Sequence, residues 1–456
     1  MADDSCERPE ILRILDAGGE KAVREYAGEM HPADIAEQLA EASPEDVRSA
    51  LDALDPETGA LVFSHMPESG QIAVLDQLGR AECAALFAEM PPDDRAQLYR
   101  HLPDELQERV MPALARAARE DIRRLASYPE GTAGSIMTSD YATLSPDITA
   151  GEAVERLRQA APDKETIYYA YVVNRAQRLL GFVSLKDLIV ARRDTRVRDL
   201  LHADPVSIRV DEDREVAVRE MRKFDLIALP VVNRDGSIVG IITHDDVIDV
   251  VAQEQTEDIE KMAAIGGSHG GGTYLQDSSW RHYRNRVGWV VGLGIVGIGA
   301  GFIVKGFGGL LQQYAGLTAY MPMLAAAGGN TGNQSAVMVV CGLATGEITR
   351  KDLWRVLFKE LAVSLLLGMV LALVVGLFAW QSQKDPAIAL VVACSLCAQV
   401  VTAMLVGVLL PMGAARLKLD PAVVASPALT TVVDLTGLLM YFSLAWLLLG
   451  WLKTVL

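Results

Sequence analysis

Apolar residues recur along this chain in three rhythms. From residue 31 to about 125 they form short helical-period segments, such as EDVRSALDAL and DRAQLYRHL, with prolines at 32, 44, 56, 67, 91 and 103. The steps between these prolines are 12, 12, 11, 24 and 12, and Gly79 stands where the long step would be divided. Proline suits the first turn of a helix, where the N–H it lacks would have no intrahelical partner. Capping residues precede two of them, in Ser43-Pro44 and Asp55-Pro56. The pattern predicts a stack of short helices, an α-helical solenoid over residues 1–130 that serves as a scaffold or docking surface.

The second rhythm occurs twice. IMTSDYATLSPDITAGEAVERL leads to the strand AYVVN, the turn RAQ, the strand LLGFVSL and a closing helix. LLHADPVSIRVDEDREVAVREM leads in the same order to ALPVVN, RDG, IVGIITH and a closing helix. Shared order and spacing resemble a tandem pair of CBS (α/β) modules, here 131–198 and 199–252. Such pairs sense ligands, often an adenosine nucleotide, and rarely perform chemistry. A helical acidic segment follows, DDVIDVVAQEQTEDIEKMAA, broken by the glycines of IGGSHGGG. This connecting helix and its linker occupy 245–275.

The third rhythm fills residues 276–456. Five apolar segments reach membrane length, approximately 287–304, 317–344, 361–380, 387–415 and 422–452, and Asp434 is the sole charged residue within them. Nine Lys and Arg residues (281, 284, 286, 350, 351, 355, 359, 416, 418) fall on one side of the spans and three (305, 384, 453) on the other. The positive-inside rule then puts the N-terminal half in the cytosol and the C-terminus outside, in a multi-pass membrane protein. The start MADDSCERPE has no apolar signal region, in keeping with a cytosolic first half. Gly288/Gly292 and Gly297/Gly301 have the spacing that allows close helix contact.

Charge follows the same division. The whole chain carries −17, yet from residue 287 onward nine basic residues face six acidic ones. The acidic excess therefore lies in the first half. That argues against nucleic acid as a partner, since phosphate binding needs a basic face. It suits cations, or simply a solvated surface. Cys394 and Cys397 form a C-x-x-C inside an apolar run with no second pair or nearby His, and are expected to be small buried hydrophobes.

Three sets of residues carry candidate chemistry. Asp434 would lie twelve residues into a helix starting at Ala422, roughly 18 Å along it and near mid-membrane. Pro427, Thr430, Thr431, Gly437 and Tyr441 share its face at helical spacing, so it should face water or another helix rather than lipid. It is either a cation ligand or a neutral, hydrogen-bonded packing residue. AAAGGNTGNQSA puts Asn330, Thr331, Asn333 and Gln334 in the second span. Their carbonyls and hydroxyls can grip the water shell that Mg2+ sheds reluctantly, or can serve as hydrogen-bonding glue between helices. Third, Asp245, Asp246, Asp249, Glu254, Glu257, Asp258 and Glu260 crowd one helix, Asp225 follows the second module's first helix, and Asp93 and Asp94 sit at a solenoid turn. Such crowding repels itself unless solvated or bridged by cations.

The order of parts, with GGNTGNQ in the second span and PALTTVVD in the fifth, resembles the MgtE family of bacterial magnesium channels over essentially the whole chain. The resemblance implies a homodimer with a pore on its two-fold axis, lined by the second and fifth spans. Pro427, Thr430, Thr431, Asn330, Thr331, Asn333 and Gln334 would line it, and Asp434 from each subunit would bind hydrated Mg2+. It implies that the helix at 245–264 is a plug. Cytosolic Mg2+ would bridge Asp93 or Asp94, Glu215, Asp225, Asp246, Asp249, Glu254, Glu257 and Asp258, favouring a closed state. Ser426 stands where the family is expected to have Asn at the gate. Alternatives are a broader divalent pathway for Mn2+ or Co2+, a coupled carrier, a nucleotide sensor with a membrane anchor, and an intramembrane enzyme. An enzyme is disfavoured: the spans have no H-E-x-x-H, Asp pair or Ser/His arrangement, and no His lies beyond 282.

Overall fold

The computed structural model describes residues 8–161, 164–266, 278–422 and 427–455. The chain divides into two compact units, residues 1–254 with 269–277, and residues 255–268 with 278–456.

In the first unit, α1 (Glu10–Ala27) precedes a run of helices that start every twelve residues. They are α2 (Pro32–Leu39), α3 (Pro44–Ala53), α4 (Pro56–Ser64), α5 (Glu68–Gln77), α6 (Arg80–Glu89), α7 (Pro92–His101), α8 (Asp104–Val110) and α9 (Arg116–Ala126). The helices are more regular than the prolines that announce them. Pro32, Pro44 and Pro56 sit in the first turn, whereas Pro67, Pro91 and Pro103 fall at the N-cap, with Pro92 opening α7 after Pro91. Gly79 takes the N-cap of α6, where its N–H donates to Glu82 Oε2 at 2.6 Å. Ser43 Oγ and Asp55 Oδ1 accept from Asp46 N (3.2 Å) and Thr58 N (3.0 Å), satisfying donors that the helix itself leaves open. Each early helix packs on the second one along, α1 on α3 and α2 on α4. One apolar stripe per helix, Val47, Ala50 and Leu54 for example, thereby enters a continuous core with Phe63, Leu75 and Phe87.

Both CBS modules have the expected order. The first comprises β1 (Tyr141–Leu144), α10 (Ala150–Ala160), β2 (Thr166–Val173), β3 (Leu179–Ser184) and α11 (Leu185–Val190). After β4 (His202–Ala203) come β5 (Ile208–Arg209), α12 (Arg214–Phe224), β6 (Ala228–Val232), β7 (Ile238–Thr243) and α13 (His244–Met262). In each module a helical crossover joins two parallel strands, and a hairpin adds an antiparallel third. A division at 198/199 cuts through strand pairing. Residues 202–203 pair with β3 of the first module, and Thr138 exchanges two backbone hydrogen bonds with Ile241 on β7 of the second. Each module thus lends the other an edge, which unpaired strand groups favour.

The second unit holds α14 (Ser279–Gly306), α15 (Gly308–Gln313), a 3-10 segment Ala315–Tyr320, α16 (Met321–Ala344), α17 (Leu353–Gln383), α18 (Pro386–Arg416) and α19 (Pro427–Val455). Among the described residues four helices are long and apolar enough to cross a membrane, α14, α17, α18 and residues 428–451 of α19. With 24 residues, about 36 Å, α16 has the length, but GGNTGNQ dilutes its apolar character. Its glycines do not break it. The second span starts at 321 rather than 317, because residues 315–320 form a tighter turn whose Leu317 carbonyl accepts from Tyr441 Oη at 2.8 Å.

Two expectations change here. Residues 421–422 are helical and the chain is described again, as helix, from Pro427 through Asp434, so the expected start of the fifth span at Ala422 borders residues that lie outside the described ones. Ser426 is outside the described residues. Gly288, Gly292, Gly297 and Gly301 face open space within the chain, and it is Gly299 that Leu435 covers. Cys394, expected to be buried, is exposed on α18, because it falls on a face that no neighbouring helix covers.

Candidate cation sites

In the membrane unit α18 packs against α16, α17 and α19, and small residues set how closely. Gly407 of α18 meets the carbonyl of Gly332 on α16 backbone to backbone. Gly328 on α16 and Gly437 on α19 flank the amide of Gln399, and a Cβ at either glycine would collide with it. Gln399 is 1 % exposed and its Nε2 donates to the Val433 carbonyl at 3.1 Å. This residue therefore ties three helices together immediately beside Asp434. The signal for it was present, a lone amide in the apolar run SLCAQVVTAM, but it was overshadowed by the denser polar run at 325–336.

Asp434 is half-buried on α19, and its Oδ1 is buried with no hydrogen-bond partner among the described residues. Asn333 Oδ1 on α16 is in the same condition. Asn330 and Gln334, four residues apart, share an exposed face of α16. Thr331 turns its hydroxyl back to the Ala327 carbonyl at 2.8 Å, and the Thr430 methyl lies over Gly329. Thr431 is half-buried on α19, and Pro427 opens that helix. Tyr441 and Gly437, read with Asp434 as one polar stripe, are packing residues: Tyr441 is fully buried and Gly437 abuts Gln399.

In the first unit the carboxylates divide into two groups. Asp93 and Asp94 occupy the first turn of α7, and Asp246 the first turn of α13. Burial, then the charge of Asp93, pushes the Asp246 carboxyl up to about 8, although Thr243 N and Oγ1 both donate to its Oδ2. Burial and the charge of Asp94 raise Asp93, whose Oδ1 is buried without a partner. Asp94 is also raised, by burial and by Asp246, Glu165 and Asp249. Glu165, just before β2, joins this group. Burial, then Asp245 and Asp246, lifts it to about 6. Its membership arises from chain crossings between solenoid and CBS pair, and no local motif announces it.

The other acidic candidates stand apart from this group. Glu254 is engaged by Arg214 Nε at 2.6 Å, so its charge is already neutralised. Asp225 is exposed and caps α12 in the left-handed conformation (φ 50°), which Asp tolerates better than most residues. Glu215 lies in the first turn of α12 with its N–H donated to Asp213 Oδ1. In the membrane unit, Glu257 pairs with Lys261 at 2.8 Å, and Asp258 is half-buried on the same helix. Among the described residues no three His, Cys, Asp or Glu side chains are disposed to cage a metal ion.

A helical membrane unit with one orphaned intramembrane carboxylate, on a chain that also carries a CBS pair and a solenoid with crowded acids, is the arrangement of a membrane transporter of cations. Family models match residues 321–444 as a divalent cation transporter, 30–131 as the MgtE intracellular N domain, and 133–194 and 197–253 as CBS domains. The magnesium transporter MgtE of Thermus thermophilus is 38% identical over 96% of this chain and 98% of its own length. That of Bacillus subtilis is 31% identical over 88% and 93%. A crystal structure of the cytosolic domain of the Mg2+ channel MgtE in complex with ATP is 36% identical, with a TM-score of 0.50 over 53% of this chain and 98% of that one. The soluble part of a magnesium transporter gives 29% identity and a TM-score of 0.51. The chain belongs to the MgtE family of magnesium transporters.

Proposed function

We propose that this chain is a Mg2+-gated channel that admits hydrated Mg2+ passively through a pore on the axis of a homodimer. The observation that carries this is Asp434, a single intramembrane carboxylate with an oxygen buried and unpartnered. Such a group is costly in a membrane unless something binds it, and a divalent ion shared by two copies would relieve both charges. Asn330 and Gln334, on an uncovered face of α16, are suited to hold the ion's water shell rather than the bare ion. Thr430, Thr431 and Pro427 would complete the lining.

Closure fits the crowded acids. Asp93, Asp94, Glu165 and Asp246 repel one another and are partly desolvated, so protons or divalent ions favour their close packing. Cytosolic Mg2+ would bind this packed state best and shift the population toward closure. An adenosine nucleotide would occupy the apolar cleft of the CBS pair between Tyr169, Tyr171, Phe182 and Pro230, as ATP binds the related cytosolic domain. The protein would sit in the bacterial inner membrane with its N-terminus cytosolic and its C-terminus outside.

The test is Mg2+ uptake into proteoliposomes. Asp434→Ala and Asp434→Asn should abolish it, and uptake by Asp434→Ala at the wild-type rate would sink the proposal. Persistence of current with no pH or Na+ gradient separates a channel from a coupled carrier. Competition by Mn2+ and Co2+ measures how broad the pathway is.

A further inference from the structure

The end of α13 is held on the membrane helices by a contact that neither pore nor sensor uses. Lys261, in the last turn, extends its Nζ to Asp420 Oδ2 and Glu257 Oε1, each at 2.8 Å. Asp420 lies in the loop after α18 and uses both oxygens, since Oδ1 accepts from Ala422 N at 2.9 Å. The pair is partly shielded, with side-chain exposures of 29% and 36%. Burial opposes the charge on Lys261, but the hydrogen bonds to Asp420 and Glu257 outweigh it and hold its pKa above the ordinary lysine value. A cation there also suits the negative end of the helix dipole.

Adjacent contacts give this pair a geometric role. Met262 packs on a cluster formed by Ala336 and Val340 of α16, Ala403 of α18, and Ala422, Leu429 and Val433. Val433 is the residue before Asp434. The chain then turns at Ala264 (φ 55°), and Gly266 N donates to the Asn285 carbonyl at 2.9 Å. An apolar knob and one backbone hydrogen bond supply adhesion but little directional restraint. The Lys261–Asp420 pair fixes where α13 ends against the helices that carry the candidate pore residues.

We propose that Lys261 and Asp420 form a latch that registers the C-terminal end of α13 on α16 and α19 and so stabilises the closed state. This rests on the reading of the chain as a Mg2+-gated channel with α13 as its plug. Both are positioning residues, and neither ligates the permeating ion. Opening would separate the ammonium from the Asp420 carboxylate, leaving Glu257 as the lysine's local partner four residues away.

The test uses the full-length protein in proteoliposomes, reading Mg2+ influx against Mg2+ on the cytosolic side. Asp420→Asn retains an Oδ1 acceptor for Ala422 and removes only the charge, and Lys261→Gln keeps the stem. Each should raise the Mg2+ concentration that halves the flux by about three- to tenfold with little change in maximal flux. Lys261→Arg should behave as wild type, and Lys261→Asp with Asp420→Lys should recover most of the loss. Unchanged gating in both single variants would overturn the latch while the channel reading stands. A second readout is independent of flux. In a background without native cysteines, Lys261→Cys with Asp420→Cys should form a disulfide faster in Mg2+ than in chelator. Equal rates would overturn the latch even if the wild type passed no Mg2+, an outcome that would by itself remove the channel reading.

Discussion

The acidic residues of the solenoid and CBS pair and the single acid of the membrane helices use the same functional group in opposite ways. Asp93, Asp94, Glu165 and Asp246 are perturbed collectively: burial and mutual repulsion raise each of them, and no one residue defines the group. Asp434 is alone, the one charged residue of its span, with an oxygen that no group among the described residues satisfies. A shared perturbation can be graded, because each bound cation or proton relieves part of it. A solitary one is all or nothing. That contrast suits a sensor on one side and a conduction site on the other.

The contrast is most strongly broken at Asp434. Neutralising it should remove Mg2+ flux altogether, whereas neutralising any one of the clustered acids should leave conduction intact and move only its Mg2+ dependence. Packing around Gln399 comes next. Gly328→Val would drive a branched side chain into the Gln399 amide, and a loss of about 1–3 kcal/mol is expected. Thermal unfolding in detergent should show a lowered midpoint, and an unchanged midpoint would mean that the α16–α18 crossing is looser than it looks.

A smaller effect follows from the raised carboxyls. These groups bind more protons in the packed unit than in the unfolded chain. Their stabilisation is therefore complete below the ordinary Asp value near 3.8 and is lost as pH rises toward about 8 for Asp246. Without Mg2+, the melting temperature should fall by a few degrees between pH 6 and 8.5, and the fall should be shallower in Asp246→Asn. Added Mg2+ should stabilise most at the high end, where protons no longer screen the acids. A Mg2+ effect independent of pH would separate ion binding from this cluster. The smallest expected change is Ser43→Ala, which removes one N-cap hydrogen bond and should cost about 1 kcal/mol in either Mg2+ condition.

Much of the architecture was legible in the chain. Proline spacing announced the solenoid, because a residue without an N–H fits a short helix best at its start, and even the displaced Pro67 and the substitute Gly79 kept the twelve-residue step. Doubling announced the CBS modules, and hydropathy the long helices. The site was less legible. Glu254 looked like a ligand equal to its neighbours until Arg214, forty residues away, was found holding it. No local motif marks Glu165, and the lone amide of Gln399 in its apolar run does not say which helices will surround it.

Sequence alone therefore determined what depends on local periodicity and charge: three kinds of segment, their order, and the one carboxylate that a membrane span must account for. Tertiary structure alone decided which carboxylates share a field and which are neutralised, which glycine is a contact and which is not, and where the end of α13 is pinned. Periodicity is written in neighbours along the chain, but desolvation and pairing depend on neighbours in space. The pairs that matter most here, Arg214 with Glu254 and Lys261 with Asp420, are 40 and 159 residues apart.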